Sequence, residues 1–307
     1  EVVEVVNTGI RIIQNDTDKN SVRDEDHNLW DKGIPDLDIQ DDNIPLPDEV
    51  AAEADAVVDM MSAEDEIQII SGVVTPIADT ADGVAAGEPI SYYHCGPNFG
   101  QLKDSGNIDK QEILLLHGAA FTKEDWRSSR ILEKLCTAGG TTDALSITAV
   151  DLSVKANGVE LLQTMRGLSR EGVITGTPLV IVTPSASGKA IITAAQSDLQ
   201  DLNTKAAYAQ KLLESMLKGW VPVASGAVLK ASEESLSLFI MNNIPILAVH
   251  GTRDRGGKII SQDLSEKAKA RVVELEGGHP CYLDSPDEFV KHLISFVNGV
   301  YGVQSSL

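Results

Sequence analysis

The sequence predicts an α/β fold, a mostly parallel, doubly wound sheet carrying an acidic N-terminal extension. Three observations predict it. Short, near-continuous apolar runs recur from about residue 84 onward, and helical segments separate them. Charge is concentrated at the front of the chain: residues 1–84 hold 22 acidic against 4 basic side chains, net −18, and the rest hold 24 against 21, net −3. Apolar strands that do not alternate with polar residues are buried on both faces, and strands joined through helices pair in parallel.

Taken in order, the front of the chain is poor in large apolar side chains. "NDTDKNSVRDEDHN" and "DLDIQDDNIPLPDE" cannot bury enough surface to offset chain entropy, so residues 15–49 read mostly as loop. "EVVEVV" and "IRII" read as strand, and from Asp48 to Met61 the residues Val50, Ala54, Val57, Val58 and Met61 share one helical face. The boundary is placed at 78/79, with residues 1–78 as an extension, partly disordered or docked, and residues 79–307 as the catalytic-type domain. "GVAAGEPISYYHC" reads as a β-hairpin turning at "AGEP". Strands follow at 112–118, 144–152, 177–185, 219–225, 244–251 and 270–278, with helices over Lys123–Thr137, Val159–Arg170, Gly188–Ala195 and Asn203–Lys218.

Composition excludes several classes of function. A net charge of −21 opposes binding to phosphate backbones, so no nucleic-acid partner is expected, and no run of apolar residues is long enough to span a membrane. The −18 segment suits a basic protein partner, or is a solvated extension that packs in part on its own domain. The chain opens on Glu1 with no basic-then-apolar leader, which reads as a processed or trimmed start and leaves the compartment open. Cys95, Cys136 and Cys281 are odd in number and widely spaced, which argues against a disulfide framework and against a Cys-rich metal site.

Ligands in such sheets bind beyond the carboxyl ends of the strands, and the unusual residues fall there. Ser187 follows the strand 177–185 at a turn into a helix, Asp254 follows 244–251 in "HGTRDRGG", and His279 follows 270–278 in "EGGHPCYLD". Serine, aspartate, histidine is the chain order of an α/β-hydrolase triad. A serine hydroxyl is a weak nucleophile until an imidazole takes its proton, and the imidazole needs a carboxylate to fix its tautomer and stabilise its cation. Singly, Ser187 reads equally as a turn serine, Asp254 as a loop cap and His279 as a surface histidine; their joint order favours the triad. Ser285, Pro286 and Glu288 suggest a capped helix start behind His279. "LLLHGAAF" offers an oxyanion hole from the N–H of Ala119, paired with the N–H of Gly188 after the serine. His117 belongs with that loop and His250 with strand packing. Cys281, two residues past His279, reads as a buried packing residue.

"ILLLHGAAFTKEDWRSSRILEKL", "VIVTPSASGKAI", "WVPVA" and "GGHPCYLDSPDEF" together resemble the α/β-hydrolase domain-containing protein 14 family over about residues 84–300. The resemblance implies an α/β-hydrolase fold and a serine hydrolase or acyltransferase. The substrates it implies are small acyl esters or acylated lysine. It also implies that the second serine of "PSASG", Ser187, is the nucleophile, with Asp254 as the acid and His279 as the base. No cofactor is required; coenzyme A is the implied acyl acceptor. Lys189, where the elbow's last glycine is usual, could draw such an anionic acceptor or be a solvated first-turn lysine. "SVKANG" replaces the usual glycine-rich loop after "AVDL", and residues 198–218 insert a helix that either roofs the site or joins the core. A different reading is a catalytically weak scaffold that binds a protein partner through its acidic extension.

Overall fold

The computed structural model describes residues 68–77, 87–96, 110–138, 145–176, 178–204 and 211–302. The strands, loop and helix expected within residues 1–61 lie outside them. The described residues build one eight-stranded sheet in the order β1-β2-β4-β3-β5-β6-β7-β8. Its strands are β1 Ile70–Val74, β2 Ile90–Cys95, β3 Gln111–Leu115, β4 Leu145–Val150, β5 Leu179–Pro184, β6 Leu217–Val223, β7 Leu247–Gly251 and β8 Arg271–Leu275. β1 pairs with β2 and β2 with β4 in antiparallel fashion, and the pairs from β4 through to β8 are parallel.

The central strands are buried on both faces because each supplies side chains alternately to two cores. In β5, Leu179 and Ile181 enter a core with α3 Gly158–Arg170, α4 Lys189–Thr204, α5 Leu212–Met216, α6 Glu233–Met241 and α7 Arg255–Ala268. Val180 and Val182 enter the other, against α1 Lys123–Ser128, α2 Ile131–Ala138, α8 Cys281–Asp284 and α9 Pro286–Tyr301. Trp126, Tyr282 and Phe289 pack as tilted rings in that second core, with centroids 4.7 Å apart for Trp126–Tyr282 and 5.9 Å for Tyr282–Phe289.

Three sequence expectations are corrected here, and one pair of alternatives is resolved. The strand that pairs with β2 is Ile70–Val74, upstream of the expected hairpin arm and inside the segment assigned to the extension. The sheet therefore reaches back past the 78/79 boundary. Second, of the two readings of the 198–218 insertion, roof or core, its described part α5 takes the core: it runs directly into β6, at the amino end of that strand, and Leu212, Leu213 and Met216 are buried. Asp198 on α4 holds it there by accepting the N–H groups of Leu212 at 2.8 Å and Leu213 at 2.9 Å. Third, Cys95 and Cys136 form a disulfide with Cα atoms 6.1 Å apart. Spacing along the chain hides this, because β2 and α2 are brought together only through β4, which both contact. Fourth, Ser285 does not cap α9 with its side chain; its hydroxyl donates to the Glu276 carbonyl at 2.8 Å and so braces the β8–α8 loop.

His94 sits between β1 and β4 with no exposed surface. Its Nδ1 lies 3.0 Å from Thr148 Oγ1, and its Nε2 has no partner among the described residues. Burial pushes this imidazole down to about 4, with the Gly96 backbone opposing weakly. The unfolded chain takes up a proton near the ordinary value of 6.5, and the folded protein takes it only near 4. His94 therefore contributes nothing adverse above about pH 6.5 and costs stability progressively as pH falls from there toward 4. Acidifying from pH 7 to 5 is expected to cost on the order of 2 kcal/mol through this residue, at roughly 1.4 kcal/mol per pH unit. Urea denaturation at the two pH values, compared with His94→Asn, checks it; an equal acid loss in the variant refutes the assignment to His94.

Candidate active site

The site forms where β5, β7 and β8 end. β5 stops at Pro184, and the next residue, Ser185, takes φ 51°, a left-handed conformation that costs an L-residue energy. The chain then makes one 3-10 turn, Ser185–Gly188, and enters α4. That reversal lifts the first residue of the turn off the strand end and tucks the third beneath it. Ser185 Oγ lies 2.9 Å from His279 Nε2. Ser187 is 4% exposed, and its hydroxyl donates to the Pro184 carbonyl at 2.9 Å.

Asp254 follows β7 and caps α7, with Oδ1 accepting the Gly257 N–H at 2.9 Å. Its other oxygen, Oδ2, lies 2.7 Å from His279 Nδ1. A carboxylate without a proton can only accept, so Nδ1 carries the hydrogen and Nε2 is left to accept from Ser185. His279 is held in the loop after β8 by Gly277, at φ 138°, and by the Gly278 N–H, which donates to Asp284 at 2.7 Å. A side chain at Gly251 would run into the Gly278 carbonyl, so glycine there lets the two loops meet.

The structure thus brings together two of the three expected residues and exchanges the third. Asp254 and His279 stand in the expected relation. The serine at the imidazole is Ser185, and Ser187 is turned into the elbow. Gly188 moves with it: it is buried, and a Cβ there would overlap Ser225 Oγ. The residue after Ser185 is Ala186. Lys189 donates from Nζ to the Lys155 carbonyl at 2.9 Å, tying the start of α4 to the loop after β4.

The "HGAA" loop lies beside the elbow, since a Cβ on Gly118 would sit 3.7 Å from the Ser185 Cβ. Asp151, which sequence reasoning missed, fixes this loop at the end of β4. It accepts from the Lys123 N–H at 2.7 Å, the Ser91 hydroxyl at 2.7 Å and the Lys123 ammonium at 2.9 Å. Burial raises the Asp151 carboxyl, but these donors outweigh it and hold it below the usual carboxylate range. The available signal was its position directly after an apolar strand. His117 bonds through Nδ1 to its neighbour's carbonyl at 2.9 Å and stands 4.0 Å from Asp151, outside the hydrogen-bonded chain of Ser185, His279 and Asp254.

Cys281 is fully buried, and burial pushes its thiol up to about 12, with Asp254 and Asp284 adding to the rise. It stays protonated at neutral pH and is a poor nucleophile. Cys281→Ala is expected to keep most activity, and iodoacetamide should label the thiol only when the protein is unfolded. Loss of turnover on alkylating native protein at Cys281 would contradict this.

No protein-family model matches the chain. The rat protein named "Putative protein-lysine deacylase ABHD14B" is 30% identical over 201 residues, which cover 63% of this chain and 86% of that protein. The chain belongs to the α/β-hydrolase domain-containing 14 family. The human ABHD14B is 27% identical over 222 residues, covering 70% of this chain and 92% of the relative. The zebrafish ABHD14A, 26% identical, covers 62% of this chain and has 66% of its own length matched. Among solved structures, a CIB-like hydrolase from Thermoplasma acidophilum superposes with a TM-score of 0.50 at 18% identity, over 76% of this chain and all of that one. A dienelactone hydrolase from Anabaena variabilis gives 0.50 at 14% identity, over 77% and 98%. At these identities the structures speak for the α/β-hydrolase fold alone.

Proposed function

We propose that this family member is a serine hydrolase that deacylates small acyl esters or acylated lysine through an acyl-enzyme on Ser185. The observation that carries the proposal is the unbroken chain Ser185 Oγ–His279 Nε2, His279 Nδ1–Asp254 Oδ2, at 2.9 and 2.7 Å, built on a strained turn. Ser185 Oγ attacks the acyl carbon and passes its proton to His279 Nε2, while Asp254 stabilises the imidazolium. The N–H groups of Ala186 and Ala119 receive the oxyanion. His279 then returns the proton to the leaving oxygen or nitrogen. Water, or a thiol acceptor such as coenzyme A, attacks the acyl-serine with the imidazole again as base.

Two features support a substrate presented on a larger molecule. The His279 side chain is 51% exposed, and α5, part of the segment that could have roofed the site, is built into the core at the amino end of β6. A lysine side chain carried on a protein can approach such a site. The relatives named as protein-lysine deacylases point the same way.

A fluorophosphonate probe, followed by peptide mass spectrometry, tests the proposal because it labels only an activated serine. The expected result is a single adduct on Ser185, together with turnover of p-nitrophenyl acetate and of an acetyl-lysine peptide. No adduct and no turnover would favour a scaffold built on a hydrolase fold.

A further inference from the structure

We propose that Ser225 is a positioning residue that aims the Ala186 N–H at the developing oxyanion. The inference rests on the reading of Ser185 as nucleophile. Ser225 follows β6 and has no exposed surface, and its hydroxyl donates to the Ser185 carbonyl at 2.6 Å, at the short end for such bonds.

That carbonyl and the Ala186 N–H are the two ends of one peptide unit. The unit is planar and trans, so its C=O and N–H point in opposite directions. Whatever fixes the oxygen fixes the direction of the hydrogen. Ser225 therefore grips the rear of the plane whose front donates to the oxyanion. A hydrogen bond accepted by the carbonyl also polarises the unit and strengthens its N–H as a donor.

The grip comes from the sheet. The Ala224 N–H bonds to the Val249 carbonyl of β7 at 2.9 Å, so the end of β6 is anchored one residue before Ser225. Ala224 takes φ 47°, and this second left-handed turn, one strand along from Ser185, brings the Ser225 hydroxyl across to the elbow. Gly188 completes the fit, since any side chain there would occupy the place of that hydroxyl. Ser187 holds the preceding carbonyl, that of Pro184, so both peptides flanking Ser185 are clamped by buried serine hydroxyls. Without Ser225, the Ser185–Ala186 peptide can rotate through ψ of Ser185 and φ of Ala186 and swing the N–H away.

The test compares full-length wild type, Ser225→Ala and Ser225→Cys. The cysteine variant keeps the volume with a weaker donor. The readouts are kcat and KM for p-nitrophenyl acetate, the melting temperature, and affinity for a trifluoromethyl ketone whose serine adduct carries an oxyanion. Deleting an oxyanion donor outright costs about 10²–10³ in kcat, so loss of its aim is expected to cost roughly 10–100-fold. KM should stay within about twofold, because the lost interaction exists only in the transition state. Ketone affinity should fall in proportion to kcat/KM, with Ser225→Cys intermediate. A merely structural role would lower the melting temperature and leave ketone affinity and the kcat of folded protein unchanged; that result overturns the proposal. If Ser225→Ala does not fold, the same criteria applied to Ser225→Cys decide. An active Ser185→Ala would instead remove the underlying reading, whereas an inactive Ser185→Ala beside a fully active Ser225→Ala removes only this one.

Discussion

Ser185→Ala is expected to abolish turnover of a small acyl ester, with kcat falling on the order of 10³-fold or more, while Ser187→Ala keeps the reaction. The contrast follows from where the two hydroxyls point. Ser185 Oγ is within hydrogen-bond reach of the imidazole, and Ser187 Oγ is spent on the Pro184 carbonyl. Removing Ser187's hydroxyl costs one buried hydrogen bond, about 1 kcal/mol of stability, and a rate loss of less than about tenfold as the elbow loosens. His279→Ala should match Ser185→Ala, because nucleophile and base fail as a unit. Circular dichroism must show all three variants folded. A dead Ser187→Ala beside an active Ser185→Ala would return the role to Ser187 and require the elbow to be arranged differently in solution.

The sequence points to Ser187, whereas the hydroxyl at the imidazole is that of Ser185, and the difference has a local cause. Asp254 and His279 could be read directly, because each sits in the loop after an apolar strand and the order of the loops follows the order of the strands. The serine has to be chosen within three residues; the resemblance takes the second, Ser187, and Gly188 after it then reads as the oxyanion donor. The glycine serves a different purpose, leaving room for Ser225 from the neighbouring strand. That is a contact between residues 37 apart, which no local pattern contains. The same holds for the disulfide between Cys95 on β2 and Cys136 on α2 and for the bond that Asp151 accepts from Ser91, both made between elements distant in the chain. The parallel strands and most of the helices were legible because hydrophobic periodicity is local. Helix α5 was ambiguous because its apolar face suits a roof as well as a core, and only its position at the start of β6 separates the two. Strand β1 was missed because "ISGVV" is short and lies in the stretch whose acidic charge led it to be assigned to the extension.

A chain beginning at residue 79 is expected to melt about 10 °C or more below one beginning at residue 62. The difference lies in β1, which pairs with β2 from Ile70 opposite His94 to Val74 opposite Ile90. Val74 is 1% exposed, and the Ile77 N–H donates to the Gln163 carbonyl of α3 at 3.1 Å. Gly167 of α3 has no side chain because one would run into the Thr75 carbonyl, so the segment after β1 lies directly on the helix. Losing this strand removes several ladder hydrogen bonds at about 1 kcal/mol each and the burial of Val74 at about 1.5–3 kcal/mol. A domain of this size loses roughly 2–4 °C per kcal/mol, which sets the expected shift. The deletion also leaves β2 as an unpaired edge, a template for association between chains, so the shorter protein should show larger species by light scattering. Strands β5, β7 and β8, which carry Ser185, Asp254 and His279 at their ends, lie in the half of the sheet away from β1, and whatever fraction stays folded should hydrolyse ester at the full rate per active site, counted by fluorophosphonate titration. Equal melting temperatures for the chains beginning at 79 and 62 would show that β1 adds nothing to the domain and would restore the boundary at 78/79.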